Sequence, residues 1–319
     1  MKKFLKKIFN KLRIYFTHEL DSKLDKLTML HANLLSIQHK QLYRQQLMVG
    51  GGGIDIRDFE FSAYSQNGED GILDLLIESL ELDSPHSSYP RAFVEFGVQD
   101  YTESNTRYLL KKRNFMGFIM DGSATHIESI KQDGIYWKHD LEAQCAFITK
   151  DNINTLIKQW LDSRKLDNIA ILSIDIDGVD YFVWEAIECV KPAIVVVEYN
   201  AIFGESLCVS VPYRADFDRF LAHHSGLYFG ASIKALISLG KSKGYIFVGA
   251  DSSGTNAFFI HQSLESKLPF STAPLQEYCS THHARQSRDA FGNLSFLQGD
   301  ERLKAIKHLP LHTCKDFSH

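Results

Sequence analysis

The stretch RAFVEFGVQDYTESNTRYLL, Arg91 to Leu110, decides the fold. It begins with an apolar run typical of a buried strand, Ala92–Phe96, and ends with a helical pattern over Asn105–Lys112. Between them lie a carboxylate, Glu95, and a residue without a side chain, Gly97. Ligands of open α/β sheets bind at the carboxyl ends of the strands, so this junction predicts a binding edge.

The central sequence continues to alternate strands and helices. Besides Ala92–Phe96, the predicted strands are Gly117–Met120, Ile135–Lys138, Ile169–Ile174 and Ala193–Glu198. The predicted helices are Glu69–Ser79, Asn105–Lys112, Thr125–Asp133, Ile153–Arg164 and Tyr181–Cys189. The runs AILSI and AIVVV are continuously apolar, as in parallel strands covered on both faces. GYIFVGA and NAFFI, separated by DSSGTN, predict an antiparallel hairpin at one sheet edge. We therefore predict an α/β fold: a doubly wound, mostly parallel, seven-stranded Rossmann-like sheet with an antiparallel edge hairpin, preceded by an N-terminal helical extension.

Composition excludes several classes of protein. The 319 residues carry a formal net charge of −4, so the chain lacks the basic field of nucleic-acid binders. Five scattered cysteines without CxxC spacing argue against a zinc site or a disulfide framework and favour reduced, cytosolic thiols. No apolar run approaches the ~18 residues of a membrane span, and no signal peptide is indicated. We expect a cytoplasmic protein.

The first sixteen residues, MKKFLKKIFNKLRIYF, predict a basic amphipathic helix. Phe4, Ile8, Leu12 and Phe16 recur every four residues among six lysines and arginines. Such a helix binds the surface of an anionic membrane, here the inner face of the cytoplasmic membrane, through apolar burial and roughly 1 kcal/mol per basic residue. The alternative is an oligomerisation helix with a solvated basic face.

The next segment, Glu19–Met48, repeats leucines at three-and-four spacing and resembles a short coiled coil, with His31 and Gln38 at seam positions. It predicts a stalk that forms homo-oligomers, and the alternative is a helix packed on the main domain. Glycines then predict a flexible joint. The predicted organisation is a helical extension (1–49), a glycine linker (50–53), the main domain (54–261) and a C-terminal extension packed on it (262–319).

Acidic residues follow every predicted strand. The strand ends are Glu95, Asp121-Gly122-Ser123, His139-Asp140, Asp175-Ile176-Asp177-Gly178 and Glu198-Tyr199-Asn200. Because parallel strands end at one edge, these acids predict one crevice that takes ligands rich in hydroxyl, amine or metal. The segment EFGVQDYTES lacks a GxGxxG turn and carries acids where a pyrophosphate would bind, which argues against NAD or FAD. A cationic nucleoside without phosphate, such as S-adenosylmethionine, suits the crevice.

The motifs FVEFG, NTRYLL, GFIMDGS and LSIDIDGVDYFVWEAI, in this order, resemble class I methyltransferases of the FkbM type. The resemblance covers most of Phe61 to Ile260 and includes YSQNGEDGIL before the first strand. It implies S-adenosylmethionine as cofactor, with Glu95 and Gly97 at its methionine part, Asp121 at its ribose and Asp140 near its adenine. Ser123, in the turn after Asp121, is also predicted to bind the cofactor.

Two parts of the resemblance leave alternatives open. Where many class I enzymes have a second glycine, this chain has Tyr101, so either the loop is reshaped with Tyr101 lining the pocket, or the cofactor contacts differ. Within SQNGED, Ser65 and Glu69 fit a helix N-terminal cap, whereas the resemblance implies that Gln66 and Glu69 contact the cofactor.

Methyl transfer to a hydroxyl needs a group that removes a proton or a metal that acidifies the hydroxyl. Asp175, Asp177 and Glu198 are predicted to bind a Mg²⁺-like ion, and Asp175 and Asp177 are the predicted catalytic residues. The alternative is a hydrogen-bonded polar cluster that orders the loops; without a metal, Asp177 is the base or orients one. We predict an O-methyltransferase acting on a saccharide or cell-surface glycan where lipid-linked glycans are assembled. The alternatives are a non-catalytic membrane-recruited scaffold and a nucleotide-sugar enzyme with a metal on Asp175 and Asp177.

Overall fold

The structure is a computed structural model that describes the backbone of residues 2–49, 53–279 and 286–316, and their side chains except 2–18, 21 and 49. The helices are α1 Lys2–Val49, α2 Glu69–Ser79, α3 Arg107–Arg113, α4 Ala124–Gln132, α5 Gly134–Lys138, α6 Ile153–Arg164, α7 Asp180–Ala186, α8 Arg219–Ala222, α9 Ile233–Ser242 and α10 Asp300–Ile306. The strands are β1 Ala92–Phe96, β2 Met116–Asp121, β3 Leu141–Cys145, β4 Ile171–Ile174, β5 Ile194–Glu198, β6 Val209–Ser210, β7 Tyr245–Ala250, β8 Asn256–His261 and β9 His312–Thr313.

Seven strands form one sheet in the order β3-β2-β1-β4-β5-β8-β7. The first five are parallel to one another, and β8 lies antiparallel between β5 and β7. The predicted fold class is confirmed, including the antiparallel hairpin at the edge. Strands β2 and β3 lie on one side of β1, and the chain then crosses to β4 on the other side of β1. In open α/β sheets, ligands bind at the carboxyl ends of the strands where the strand order reverses in this way.

Helices cover both faces of the sheet because its central strands are apolar on both sides. Val94 and Phe96 of β1 belong to one buried cluster with Trp160 of α6. Phe93 of the same strand belongs to the opposite cluster with Leu76 of α2. Two cores thus hold β1 from both faces and fix the position of its carboxyl end.

The predicted third strand, Ile135–Lys138, is wrong, because these residues form the short helix α5. The side chain of Asp133 accepts a hydrogen bond from the backbone N–H of Ile135 at 2.7 Å and caps this helix. The real third strand, β3, begins only at Leu141. Asp140 therefore precedes its strand and lies at the opposite sheet edge from the predicted crevice.

Helix α1 runs without a break through both predicted N-terminal helical segments. It packs on the main domain, as the alternative interpretation of the second segment required. The hydroxyl of Ser36 donates to Asp74 Oδ2 at 2.6 Å, Ala32 is buried, and the His39 ring meets the edge of Phe59 at 5.4 Å between ring centroids.

The face of α1 that points away from the domain is also apolar. Six side chains on it are 52% to 62% exposed: Leu20, Leu24, Leu27, Leu30, Leu34 and Ile37. The basic and apolar side chains of residues 1–16 and the glycines 50–52 lie outside the described residues, so both predictions about them stay predictions. Among the helices that the structure describes, none is long and apolar enough to cross a membrane.

The C-terminal extension contacts the main domain at several points. Strand β9 pairs antiparallel with β6, and the Tyr228 hydroxyl donates to the carbonyl of Pro310. The Tyr199 hydroxyl donates to the carbonyl of Tyr278 at 2.6 Å. These contacts hold α10 near the carboxyl edge of the sheet. The predicted domain boundaries themselves stay predictions.

Candidate functional site

A cavity of about 180 Å³ opens at the carboxyl ends of β1, β2 and β4. One side of the cavity, formed by residues that follow β1 and β2, contains glycines and a carboxylate. The other side, formed by residues that follow β3, is mostly apolar. The residues on these two sides are Gly97, Gln99, Asp121, Gly122, Ala146, Phe147 and Ile148.

Asp121 is the carboxylate on the β2 side of this cavity and is held in place by three hydrogen bonds. Its Oδ2 accepts from the backbone N–H of Gln99 at 2.8 Å, and its Oδ1 accepts from the backbone N–H of Ser123 at 2.8 Å. The Nδ1 atom of His126 lies 3.1 Å from Oδ1. A carboxylate offers about four acceptor sites, so Asp121 retains capacity for a hydroxyl donor in the cavity.

Gly97 forms the tightest point of the site. Its φ of +83° lies in the left-handed region, and an added Cβ would lie 2.6 Å from the carbonyl carbon of Asp175 and closer still to its oxygen. Its N–H donates to the carbonyl of Met120 at 3.0 Å. Only glycine lets the end of β1 fit between β2 and β4 here.

Three carboxylates converge beside this cavity. Asp175, Asp177 and Glu198 each offer an oxygen, and these atoms all lie within 4.8 Å of one another. The turn after β4 is shaped by a fourth acid, Asp180, which accepts from the backbone N–H of Ile176 at 2.8 Å. The predicted trio is thus brought together, as a metal site requires.

Burial and mutual repulsion dominate the electrostatics of the trio. Burial, followed by the charges of Asp177 and Asp180, raises the pKa of Asp175 well above its usual range. Burial and then the charge of Asp175 likewise raise the pKa of Glu198. The Oε2 atom of Glu198 is buried and has no hydrogen-bond partner among the described residues. Arg219 forms an ion pair with Asp177. This single positive charge faces three carboxylates and does not neutralise all of them.

A second cavity of about 410 Å³ adjoins the first and shares Gly97, Gln99, Asp175 and Asp177 with it. It extends from the trio towards the β7–β8 hairpin and the C-terminal extension. Gln66, one of the predicted cofactor residues, is exposed and lines this second cavity.

Glu95 has a different role from the one predicted. It is buried, and its two oxygens accept from the Ser104 hydroxyl (2.7 Å), the Asn105 N–H (3.0 Å), the Ser173 hydroxyl (3.2 Å), and both the N–H and the hydroxyl of Thr106. These donors occupy the carboxylate, which lines neither cavity. Glu95 fixes the loop after β1, and the predicted convergence of Glu95 with Asp121 on one rim is wrong.

Three further predicted cofactor residues also lie outside both cavities. Asp140 pairs with Arg164 at 2.8 Å on the opposite sheet edge. Ser123 caps α4. Glu69 is buried and accepts from the backbone N–H of Asn67 and the side-chain amide of Asn256, each at 2.9 Å. These three side chains make contacts within the fold and line neither cavity.

Tyr101 reshapes the loop, but it does not line the pocket. Its φ of +62° is the conformation that a glycine would favour, while its side chain is fully buried and its hydroxyl lies 3.0 Å from Thr106 Oγ1. The loop keeps a glycine-like backbone and uses the ring as part of the core.

Sequence reasoning missed the apolar wall, Ala146 to Ile148, because the third strand was misplaced. It also missed Arg219 and Arg302 on the second cavity. The first omission was avoidable: EAQCAFI follows Asp140 as an alternating and then apolar run.

No protein-family profile matches the sequence, and no curated protein is detectably similar to it. Several solved structures resemble the fold of this chain. They include the CurJ carbon methyltransferase (11% identity, 64% of this chain and 56% of that chain, TM-score 0.39) and the N-terminal domain of EvdMO1, solved in the presence of SAH and D-fucose (9%, 70% and 94%, 0.38). A third is an S-adenosylmethionine-dependent methyltransferase from Clostridium acetobutylicum (9%, 70% and 98%, 0.38). The chain thus spans about half the length of the CurJ protein, and likeness at these identities concerns the fold alone.

Proposed function

We propose that this protein is an S-adenosylmethionine-dependent O-methyltransferase, of the FkbM type that its motifs resemble, acting on a hydroxyl of a saccharide or cell-surface glycan. One observation carries the proposal. The cavity at Gly97 and Asp121, suited to a nucleoside, opens directly into a cavity lined by three convergent carboxylates, suited to activating a hydroxyl.

The residues of the first cavity fit the cofactor. Asp121 has free acceptor capacity for ribose hydroxyls, and Gly97 lines the cavity with bare backbone. Ala146, Phe147 and Ile148 form an apolar wall against which an adenine ring can pack. When bound, S-adenosylmethionine supplies an electrophilic methyl carbon. The chain's own contribution is to position it against the acceptor.

The carboxylate trio has the donor set of a divalent-cation site. The Oε2 atom of Glu198 is buried and lacks a hydrogen-bond partner within the part of the chain that the structure describes, an arrangement that is unfavourable without a cation or a proton. When bound, such an ion lowers the pKa of a coordinated hydroxyl. Asp175 and Glu198, whose oxygens lie within 4.8 Å of each other, are placed to receive the proton that the acceptor loses. Without a metal, Asp177 is the most exposed of the three and the proposed base.

Calorimetric titration with S-adenosylhomocysteine tests the cofactor site. We expect micromolar binding to the wild type, at least tenfold weaker binding to Asp121→Asn, and wild-type binding to the matched control Asp140→Asn at the opposite sheet edge. No binding to the wild type at millimolar ligand would refute the proposed function.

The metal site has its own test. We expect Mg²⁺ or Mn²⁺ to raise the Tm of the wild type, and Glu198→Gln to abolish this shift while leaving S-adenosylhomocysteine binding intact. Transfer of a radiolabelled methyl group to glycan fractions should then stop on chelation. If methyl transfer persists both after chelation and in the Glu198→Gln variant, the proposal of a catalytic metal ion is wrong.

For partners, we propose an anionic membrane and a second copy of this chain. The membrane proposal rests on the six basic residues before position 14, and flotation with phosphatidylglycerol vesicles, with and without residues 1–16, tests it. Loss of flotation only on deletion is the expected result, and equal flotation of both forms would reject it. Self-association of this chain is supported by the exposed apolar face of α1, the six side chains from Leu20 to Ile37, which lies opposite the face packed on the domain.

A further inference from the structure

The second cavity has a basic side formed by Arg219 of α8 and Arg302 of α10. The Nε and Nη1 atoms of Arg302 are buried and have no hydrogen-bond partner among the described residues. A buried donor without a partner costs about 1–3 kcal/mol, and more when the group is charged. The arrangement is therefore unfavourable until an acceptor reaches Arg302.

Arg113, another largely buried arginine of the same chain, shows what a structural role looks like. Its Nε donates to Asp74 Oδ1 at 2.7 Å, and its Nη1 is paired with Asp83. Two carboxylates compensate its charge inside the fold. Among the described residues, the Nε and Nη1 atoms of Arg302 have no such partner, so the position of this side chain at a cavity needs another explanation.

Arg219, unlike Arg302, already has partners for its guanidinium group within the fold. Its Nε donates to the carbonyl of Gly226 at 2.8 Å, its Nη1 pairs with Asp177, and the group lies 3.8 Å from the centre of the Phe229 ring. Burial, followed by repulsion from Arg219, lowers the pKa of Arg302. An anion between the two arginines would relieve both effects.

The position of Arg302 shows which part of the reaction it serves. It comes from the C-terminal extension and lines the second cavity with the trio, whereas it is not part of the wall around Asp121 and Phe147. Phe220, about half exposed, lines the same cavity and offers a ring face to a sugar. Apart from the four residues that both cavities share, cofactor-side and acceptor-side residues are thus separated along the cleft.

We propose that the acceptor is an acidic saccharide, and that Arg302 binds its oxyanion, a carboxylate or a phosphate, at the side of the cavity away from the cofactor. This inference rests on the proposed function and specifies its substrate class. Arginine matches the planar geometry of carboxylates and phosphates, and a buried charge-assisted pair is among the stronger polar contacts. The same contact selects against neutral sugars, which would leave the guanidinium unpaired.

The test uses the full chain loaded with S-adenosylhomocysteine and three probes of one sugar: glucuronate, glucose 6-phosphate and neutral glucose. Binding is followed by ligand-detected NMR in wild type, Arg302→Gln and Arg302→Lys. We expect one anionic probe to bind the wild type at least tenfold more tightly than glucose, to lose this advantage in Arg302→Gln and to keep part of it in Arg302→Lys. Which anion binds distinguishes the carboxylate from the phosphate.

Two controls separate this role from others. Arg214→Gln removes a positive charge that is exposed and paired with Asp216, so it should leave anion binding unchanged. Arg302→Gln should not lower the Tm, because it removes a buried unpaired charge, whereas loss of a structural arginine would lower it.

The outcomes that overturn the inference are distinct from failure of the proposed function. If the wild type binds S-adenosylhomocysteine but prefers neither anion to glucose, the acceptor assignment falls while the function stands. If Arg302→Gln weakens S-adenosylhomocysteine but not methylthioadenosine, which lacks the carboxylate, Arg302 holds the cofactor and the acceptor assignment is wrong. If the wild type binds no S-adenosylhomocysteine, the function itself fails.

Discussion

Substituting alanine for Gly97 tests how the end of β1 is built. The new Cβ would lie 2.6 Å from the carbonyl carbon of Asp175, with φ at +83°. The left-handed conformation costs a non-glycine residue roughly 1–2 kcal/mol, and overpacking of this kind adds about 1–3 kcal/mol. We expect Gly97→Ala to destabilise the protein by about 2–5 kcal/mol.

Gly292 supplies a matched control. Its φ of +84° is nearly the same, but an added Cβ there would meet nothing within 4 Å. Gly292→Ala therefore carries the conformational cost alone. The difference between the two variants isolates the steric overlap, about 1–3 kcal/mol, or roughly 1.5–4.5 °C in Tm by circular dichroism.

Ligand affinity gives a second measurement, because Gly97 lines both cavities and Gly292 lines neither. We expect only Gly97→Ala to weaken S-adenosylhomocysteine binding. Equal Tm values for the two variants, or wild-type affinity in a Gly97→Ala protein, would refute the account of this strand end.

Three further results are expected. Glu95→Gln should lower the free energy of unfolding, measured by urea denaturation, by about 2–4 kcal/mol, because the amide nitrogen of the new glutamine would face hydrogen-bond donors. S-adenosylhomocysteine binding to the folded variant should be unchanged. A variant as stable as the wild type contradicts this prediction. Phe147→Ala should weaken S-adenosylhomocysteine about three- to tenfold with little change in Tm, since this exposed ring lines the cavity; unchanged affinity would remove it from the site. Leu27→Lys with Leu34→Lys should convert a self-associating protein to monomer in sedimentation equilibrium, whereas a wild type that is monomeric at high concentration disproves the second-copy proposal.

Much of the fold followed from local patterns. The bounds of β1, α2 and α6 matched the prediction because each element has a clear apolar pattern and a polar boundary. The prediction failed at GIYWK, where aromatic and β-branched residues favour a strand but the Asp133 side chain caps a helical turn. A five-residue segment is too short for periodicity to decide.

The site was harder to predict than the fold, because a carboxylate at a strand end can serve the ligand or the protein. Strand alternation places Glu95 and Asp121 on the same face, because Glu95 pairs with Ile119, two residues before Asp121, yet the loop after β1 encloses Glu95 whereas Asp121 lines the cavity. Whether such a carboxylate is enclosed or reaches the cavity depends on which hydrogen-bond donors the following loop brings near it, and the sequence does not give their positions. Arg302 could not be predicted at all, since it reaches the cleft from a segment about two hundred residues away from β1.

The hydrogen bonds around Glu95 also have a consequence for the speed and thermodynamics of recognition. They order the loop after β1 during folding, so a nucleoside entering beside Gly97 has no segment there to immobilise. Association should be limited by diffusion and orientation, without a slow rearrangement phase in stopped-flow traces. The heat-capacity change on binding should be small, reflecting only the apolar surface of the wall beyond β3.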